Sequence, residues 1–186
     1  MPPKAKYTRE EIIEAAFQLV REKGADALTA RELADRLSTS PRPIFTAFDG
    51  MDEVKSEVIK KCSELYLSFY ESERSLGIYP EYKSLGMAYI KLAKQEKNVF
   101  KLLFMRDTSK EEGKPSENLF NMGCMVVGEQ LNLKKYSAER MHTEVWIWVH
   151  GIASALATSY VDIDYDTISD MLSDVYLGLK GRYENE

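Results

Sequence analysis

Residues 29–48 read TARELADRLSTSPRPIFTAF, and the fold follows from how that stretch is punctuated. Thr29 and Glu32 have the spacing of a capping box, in which a hydroxyl and a carboxylate each satisfy an unpaired donor at a helix start. Leu33, Ala34 and Leu37 then fall on one helical face. Ser38, Thr39 and Ser40 interrupt it, because their side chains compete with the backbone for hydrogen bonds. Ser40 is placed to cap a second helix. Pro41 then takes the first helical position, where a missing N–H is harmless, and Pro43 still lies in the first turn. Ile44, Phe45 and Phe48 give this helix an apolar face, and Arg42, Thr46 and Ala47 occupy the other.

A third helix precedes the pair. Thr8 and Glu11 form a further capping box, and Ile12, Ile13, Ala16, Phe17, Leu19 and Val20 make a wide apolar stripe. Gly24 follows Lys23 as a C-terminal stop. Two short helices across a three-residue turn, backed by a longer one, are the outline of a helix-turn-helix, whose second helix enters the DNA major groove.

These features resemble the DNA-binding domain of TetR-type transcriptional regulators. The likeness runs through Glu22-Lys23-Gly24, Leu28-Thr29, Glu32-Leu33-Ala34, the short turn, Phe45 to Phe48 and Met51-Asp52-Glu53-Val54, over roughly residues 8–54. Trp148-Val149-His150-Gly151 is similar to a Trp-x-His-Gly element in the ligand domain of one branch of that family. Three positions depart from the pattern. Ser38 stands where a glycine usually opens the turn. Phe45 replaces a Tyr and Met51 a Lys, which removes two contacts to phosphate.

Composition sets the outer bounds. The chain has 186 residues and a net charge of −5. Residues 1–50 carry 8 Lys and Arg against 8 Asp and Glu, so the acidity lies in the remainder. Lys4, Lys6 and Arg9 precede the first acid and make a locally positive arm able to reach backbone or minor groove. No apolar run of membrane-spanning length occurs, and Met-Pro-Pro-Lys lacks the core of a signal peptide. Cys62 and Cys124 give no disulfide framework and no zinc spacing, which fits a reduced, cytoplasmic protein. With 6 prolines and many helix formers, the reading is all-α: a helix-turn-helix domain over 1–50 and a helical ligand-binding and dimerisation domain over 51–186.

The second part breaks into helices at 51–74, 80–95, 97–105, 116–133, 138–160 and 165–182, with a polar loop from Thr108 to Ser116. In the first of these, Val54, Val58, Leu65 and Phe69 read as inward. Val145, Trp148, Val149, Ile152 and Leu156 extend a stripe from Met141 on the penultimate helix. Ile168, Met171, Leu172, Val175 and Leu179 make one on the last. Pairing with the same stripes of a second copy gives a four-helix interface, as TetR-type dimers have. The middle of the chain is rich in Met and aromatics, among them Tyr66, Tyr70, Met87, Tyr89, Phe104 and Trp146. Such a set is ordinary core, or the wall of an adaptable apolar pocket. Tyr66, Tyr70, Trp146 and His150 are its expected ligand contacts.

Catalysis finds little support. His142 and His150 lie eight residues apart, not in a metal pair, and no local triad signature accompanies either cysteine. Asp162, Asp164 and Asp166 lack the glycine and terminal Glu of a calcium loop and read as a turn and helix start. No cofactor and no metal is expected. The resemblance implies a homodimeric DNA-binding regulator, a repressor released from a palindromic operator by a small, largely apolar effector. Thr29, Arg31 and Ser40 would hold the DNA backbone, and Arg42, Thr46 and Ala47 would face base edges. The alternative is a helical small-molecule or protein-binding module whose head has lost DNA activity.

Overall fold

In the computed structural model, which describes residues 7–109 and 115–183, helices and turns account for all regular structure. The arm residues Lys4 and Lys6, and the loop residues Lys110, Glu111, Glu112 and Gly113, lie outside the described residues. Helix α1 spans Arg9–Lys23, and the Thr8–Glu11 capping box is complete in both directions. Gly24 ends it with φ +86° and returns its N–H to the Val20 carbonyl. A 3-10 turn, Ala25–Ala27, leads to α2, Ala30–Arg36, and α3, Arg42–Ala47.

The cap of α2 is only half of the expected box. Thr29 accepts from the Glu32 N–H at 3.2 Å, but the Glu32 carboxylate turns to Lys23 at 2.8 Å. The Thr29 N–H is already bound to the Ala27 carbonyl at 2.8 Å, so there is no free donor for it to reach. The turn differs by one residue too. Pro41, not Ser40, is the N-cap of α3, and no side chain caps it. Ser38 has φ +51°, the left-handed conformation that glycine adopts without steric cost.

Helices α1–α3 bury Ile12, Ala16, Leu19, Val20, Leu33 and Ile44 as one core. Phe48 joins it at 3% exposure, whereas Phe45 is 52% exposed and corrects the expectation that it packs inward. On a helix this short only one residue per turn reaches the core, and Ile44 and Phe48, four apart, already do so. Arg9 is not part of a free arm. Its guanidinium bonds the Ala47 carbonyl, pairs with Glu53 at 2.7 Å and lies 4.1 Å from the Phe48 ring centre.

The body follows as α4 (Met51–Ser75), α5 (Glu81–Gln95), α6 (Lys97–Phe104), α7 (Pro115–Leu131), α8 (Lys135–Ala157) and α9 (Tyr165–Tyr183). The inward stripe of α4 is Val54, Val58, Ile59, Cys62, Tyr66 and Tyr70. Leu65 and Phe69, expected there, are half-buried on its flank. Asp164 starts α9 by accepting the Thr167 N–H and hydroxyl, each at 2.8 Å. Asp162 pairs with Lys94 at 2.7 Å.

Head and body meet along α1, α4 and α6. Arg21 of α1 makes a two-pronged pair with Glu96, and the Asn98 amide donates to the Arg21 carbonyl at 2.9 Å. Lys61 of α4 pairs with Glu14 of α1. The base of the head is therefore held by charge and hydrogen bonds as well as by Phe17 and Leu19.

Candidate DNA-reading face and body cavity

Two sites stand out, one on each part. On the head, Arg42 and Thr46 are exposed, and Phe45 lies between them in sequence. Thr46 returns its hydroxyl to the Arg42 carbonyl at 2.9 Å. Ala47, expected beside them, is half-buried against the core, with its carbonyl held by Arg9. Thr29, Arg31 and Ser40 are exposed at the start of α2 and in the turn. The other cations of this region are committed: Arg36 to Glu22 at 2.7 and 2.8 Å, and Lys23 to Glu32. Among the described residues the Arg31 and Arg42 guanidiniums make no hydrogen bond or ion pair, though Arg31 lies near enough to Glu32 to act on its charge. The face thus presents two uncommitted guanidiniums and one aromatic ring. Arginine suits phosphate or guanine, and an apolar ring suits a thymine methyl.

In the body, helices α4 to α9 enclose a cavity of about 510 Å³, within the usual size of a small-molecule site. Its inner wall is aromatic: Tyr66, Tyr89, Phe104, Phe120 and Trp146. These rings meet one another edge-on or tilted, Tyr89 to Phe104 at 4.6 Å and Phe120 to Trp146 at 5.9 Å between centres. Val145, Val149 and Leu172 complete the apolar lining. At the rim, Ile78 is 66% and Leu177 60% exposed, beside Lys83, Asp170 and Ser173. The Lys83 ammonium donates to the Ser173 hydroxyl at 2.7 Å, and burial lowers its pKa.

Two tyrosine–histidine pairs supply the polar character. The Tyr89 hydroxyl lies 2.8 Å from His150 Nδ1. His150 stacks on Trp146, 5.0 Å between ring centres, and meets the Ser154 hydroxyl at 3.3 Å through Nε2. The Tyr82 hydroxyl lies 2.8 Å from His142 Nδ1. His142 is buried, and loss of water pushes its pKa down to about 4. Among the described residues its Nε2 has no hydrogen-bond partner. A Cβ at residue 123 would stand 2.1 Å from His142 Cε1, so Gly123 is what lets the ring sit there.

Of the four expected ligand contacts, Tyr66 and Trp146 line the cavity. Tyr70 does not, because its hydroxyl is turned to Glu81 at 2.8 Å. His150 does not line the cavity; it touches two residues that do, Tyr89 and Trp146. Sequence reasoning missed Tyr82 and His142. A signal was present: His142, Val145 and Val149 share one face of α8, and Tyr82, Leu85 and Tyr89 share one face of α5.

The apolar stripes of α8 and α9 divide. Val145, Val149, Leu156, Ile168 and Leu172 are buried within the protomer, so they cannot meet a second copy. They face the protomer's own core and cavity because α8 packs on α5 and α7, and α9 packs on α8 and α5. Trp148, Ile152, Val175 and Leu179 are half-buried, and Met171 is exposed. Ile147, at 61% exposure, was overlooked. Neither cysteine is an activated nucleophile: burial pushes the Cys62 thiol up to about 12 and raises that of Cys124.

A helix-turn-helix head with an uncommitted reading face, joined to a helical body, defines a DNA-binding transcription regulator. Residues 12–58 match the bacterial regulatory proteins of the tetR family. No curated protein matches the chain. No helix among the described residues is long and apolar enough to cross a membrane.

Proposed function

We propose that the chain is a cytoplasmic, homodimeric repressor, released from a palindromic operator when a small, largely apolar molecule enters the body. One observation carries this reading: a cavity of about 510 Å³ walled by the same helices that hold the head. Phe104 lies on its inner wall at the end of α6, and the start of α6 grips α1 through Glu96 and Asn98. Tyr66 lies on its wall in α4, which packs against α1 of the head and pairs Lys61 with Glu14 there. A ligand that displaces Phe104 or Tyr66 therefore tilts helices to which the head is bound. In a dimer such a tilt changes the separation of two recognition helices, which must match one DNA turn, near 34–36 Å. The ligand must favour the displaced form, and a coupling of about 1–3 kcal/mol is typical.

The domain boundary falls at Gly50 and Met51, where the head ends and α4 begins. Arg42 and Thr46 read base edges, and Thr29, Arg31 and Ser40 hold phosphates. The outward residues of α8 and α9 form the dimer contact.

A gel shift against DNA flanking the coding region tests the DNA reading. Val145→Trp, which fills the cavity from α8, should leave operator binding intact and block the response to cell extract fractions that release the unmodified protein. Loss of all DNA binding in the unmodified protein would favour a small-molecule or protein-binding module with an inactive head.

A further inference from the structure

We propose that His142, held by Tyr82, is the polar reader of the cavity, and that its ligand is an apolar molecule carrying one hydrogen-bond-accepting oxygen, such as an aryl or alkyl ketone. This inference rests on the reading of the cavity as the effector site. It concerns a residue on α8 other than the histidine singled out by the sequence.

The Tyr82 hydroxyl has one proton and makes no other hydrogen bond among the described residues than that to His142 Nδ1, at 2.8 Å. That proton has no other acceptor among the described residues, so we assign the hydroxyl as donor and Nδ1 as acceptor. A neutral imidazole that accepts at Nδ1 carries its hydrogen on Nε2. That N–H is buried and without a partner among the described residues, in a residue only 5% exposed. Buried donors are almost always satisfied, and an exception points to a function.

Geometry then sets where the donor can look. Nδ1 is occupied by Tyr82, and a Cβ at residue 123 would stand 2.1 Å from Cε1 and 2.4 Å from Nε2. Phe120 covers the ring at 4.7 Å between centres. Nε2 lies over the bare backbone of Gly123, where no side chain fills the space beside it, and His142 lines the cavity. Around it the wall offers Phe120, Val145 and Trp146, and the Gln130 amide of the lining is engaged with Tyr82 and Tyr176. An ionised group there would be stripped of water with no opposite charge beside it. The one lysine of the lining, Lys83, is at the rim and engaged with Ser173. The interior therefore selects a neutral acceptor, a carbonyl or ether oxygen, on an apolar frame.

Benzophenone and diphenylmethane make a matched pair of probes, alike in shape and differing in one carbonyl oxygen. Binding to the full-length protein is followed by calorimetry and by Trp fluorescence. The expected result is a preference of about tenfold or more for the ketone, the scale of one buried hydrogen bond. The preference should vanish in His142→Phe and survive in part in His142→Gln. Nitrogen-15 spectra of the unmodified protein give a readout independent of any variant. They should show His142 as the Nε2–H form, with that resonance moved by benzophenone and not by diphenylmethane. Equal binding of both probes, with an unmoved Nε2 resonance, would overturn the role of His142 and leave the cavity as an effector site. Failure of both probes to bind at their solubility limit would overturn the effector site as well.

Discussion

Arg21 on α1 and Glu96, which ends α5 and begins α6, face each other in a two-pronged ion pair, with Nε donating to Oε2 at 2.9 Å. Glu96 is also the N-cap of α6, so one carboxylate lies at the junction of two body helices and the base of the head. The guanidinium fork matches both carboxylate oxygens, which gives the contact a fixed direction. Arg21→Ala should lower stability by about 1 kcal/mol in urea melts, in keeping with a partly exposed pair. Arg21→Lys should recover only part, because an ammonium cannot bridge both oxygens. Amide exchange in α1 should quicken more than in α8. Unchanged exchange in α1 would show that the pair does not anchor the head.

The reading face makes a second prediction. Arg42→Ala should relax base preference at one position of each half-site, a discrimination worth about 1–3 kcal/mol if the contact is to guanine. Equal weakening on all sequences, with a shallower salt slope, would assign Arg42 to phosphate instead. Phe45→Ala should weaken binding only at sites with a thymine beneath the ring, and uracil at that position should reproduce the loss. Phe45→Tyr adds a hydroxyl and should tighten binding without changing the preferred sequence.

Assembly is tested on the outer surface of α8 and α9. Ile147→Glu removes an exposed apolar side chain and should give monomers by light scattering that lose operator affinity. Leu172→Glu should instead unfold the body, because Leu172 is 3% exposed and a buried, unpaired carboxylate is strongly unfavourable. A stable monomer of the unmodified protein with tight DNA binding would exclude the dimer.

Stability should fall on mild acidification. In the folded chain His142 stays neutral until its pKa of about 4, while in the unfolded chain it binds a proton near its ordinary value of about 6.5. Between those values the unfolded state holds more protons, so stability rises with pH across that window. The contribution is present above the unfolded pKa and is lost as pH falls towards the folded one, to at most about 3 kcal/mol. His150, whose pKa is also lowered by burial, acts in the same direction. Urea midpoints at pH 7 and pH 5 should differ less in His142→Gln than in the unmodified protein. An equal difference in both would place the acid sensitivity elsewhere.

The sequence by itself determined the helices and their order. Capping residues, the Gly24 stop, the Ser38–Ser40 break and the 3.6-residue spacing of apolar side chains are local causes, and local causes act within a few residues. That is why α1 to α3 and the tetR likeness were legible from the chain alone. Tertiary structure decided which side of each apolar stripe faces what. Leu172 and Ile147 are both apolar residues on amphipathic helices, yet one is covered by the protomer and the other is exposed. Phe45 turned outward because Ile44 and Phe48 had filled the small core. Tyr82 and His142 lie 60 residues apart in sequence, and no pattern along the chain brings a phenol to one nitrogen of an imidazole. Only the packing of α5 against α8, with Gly123 leaving room on α7, sets that pair in the cavity wall.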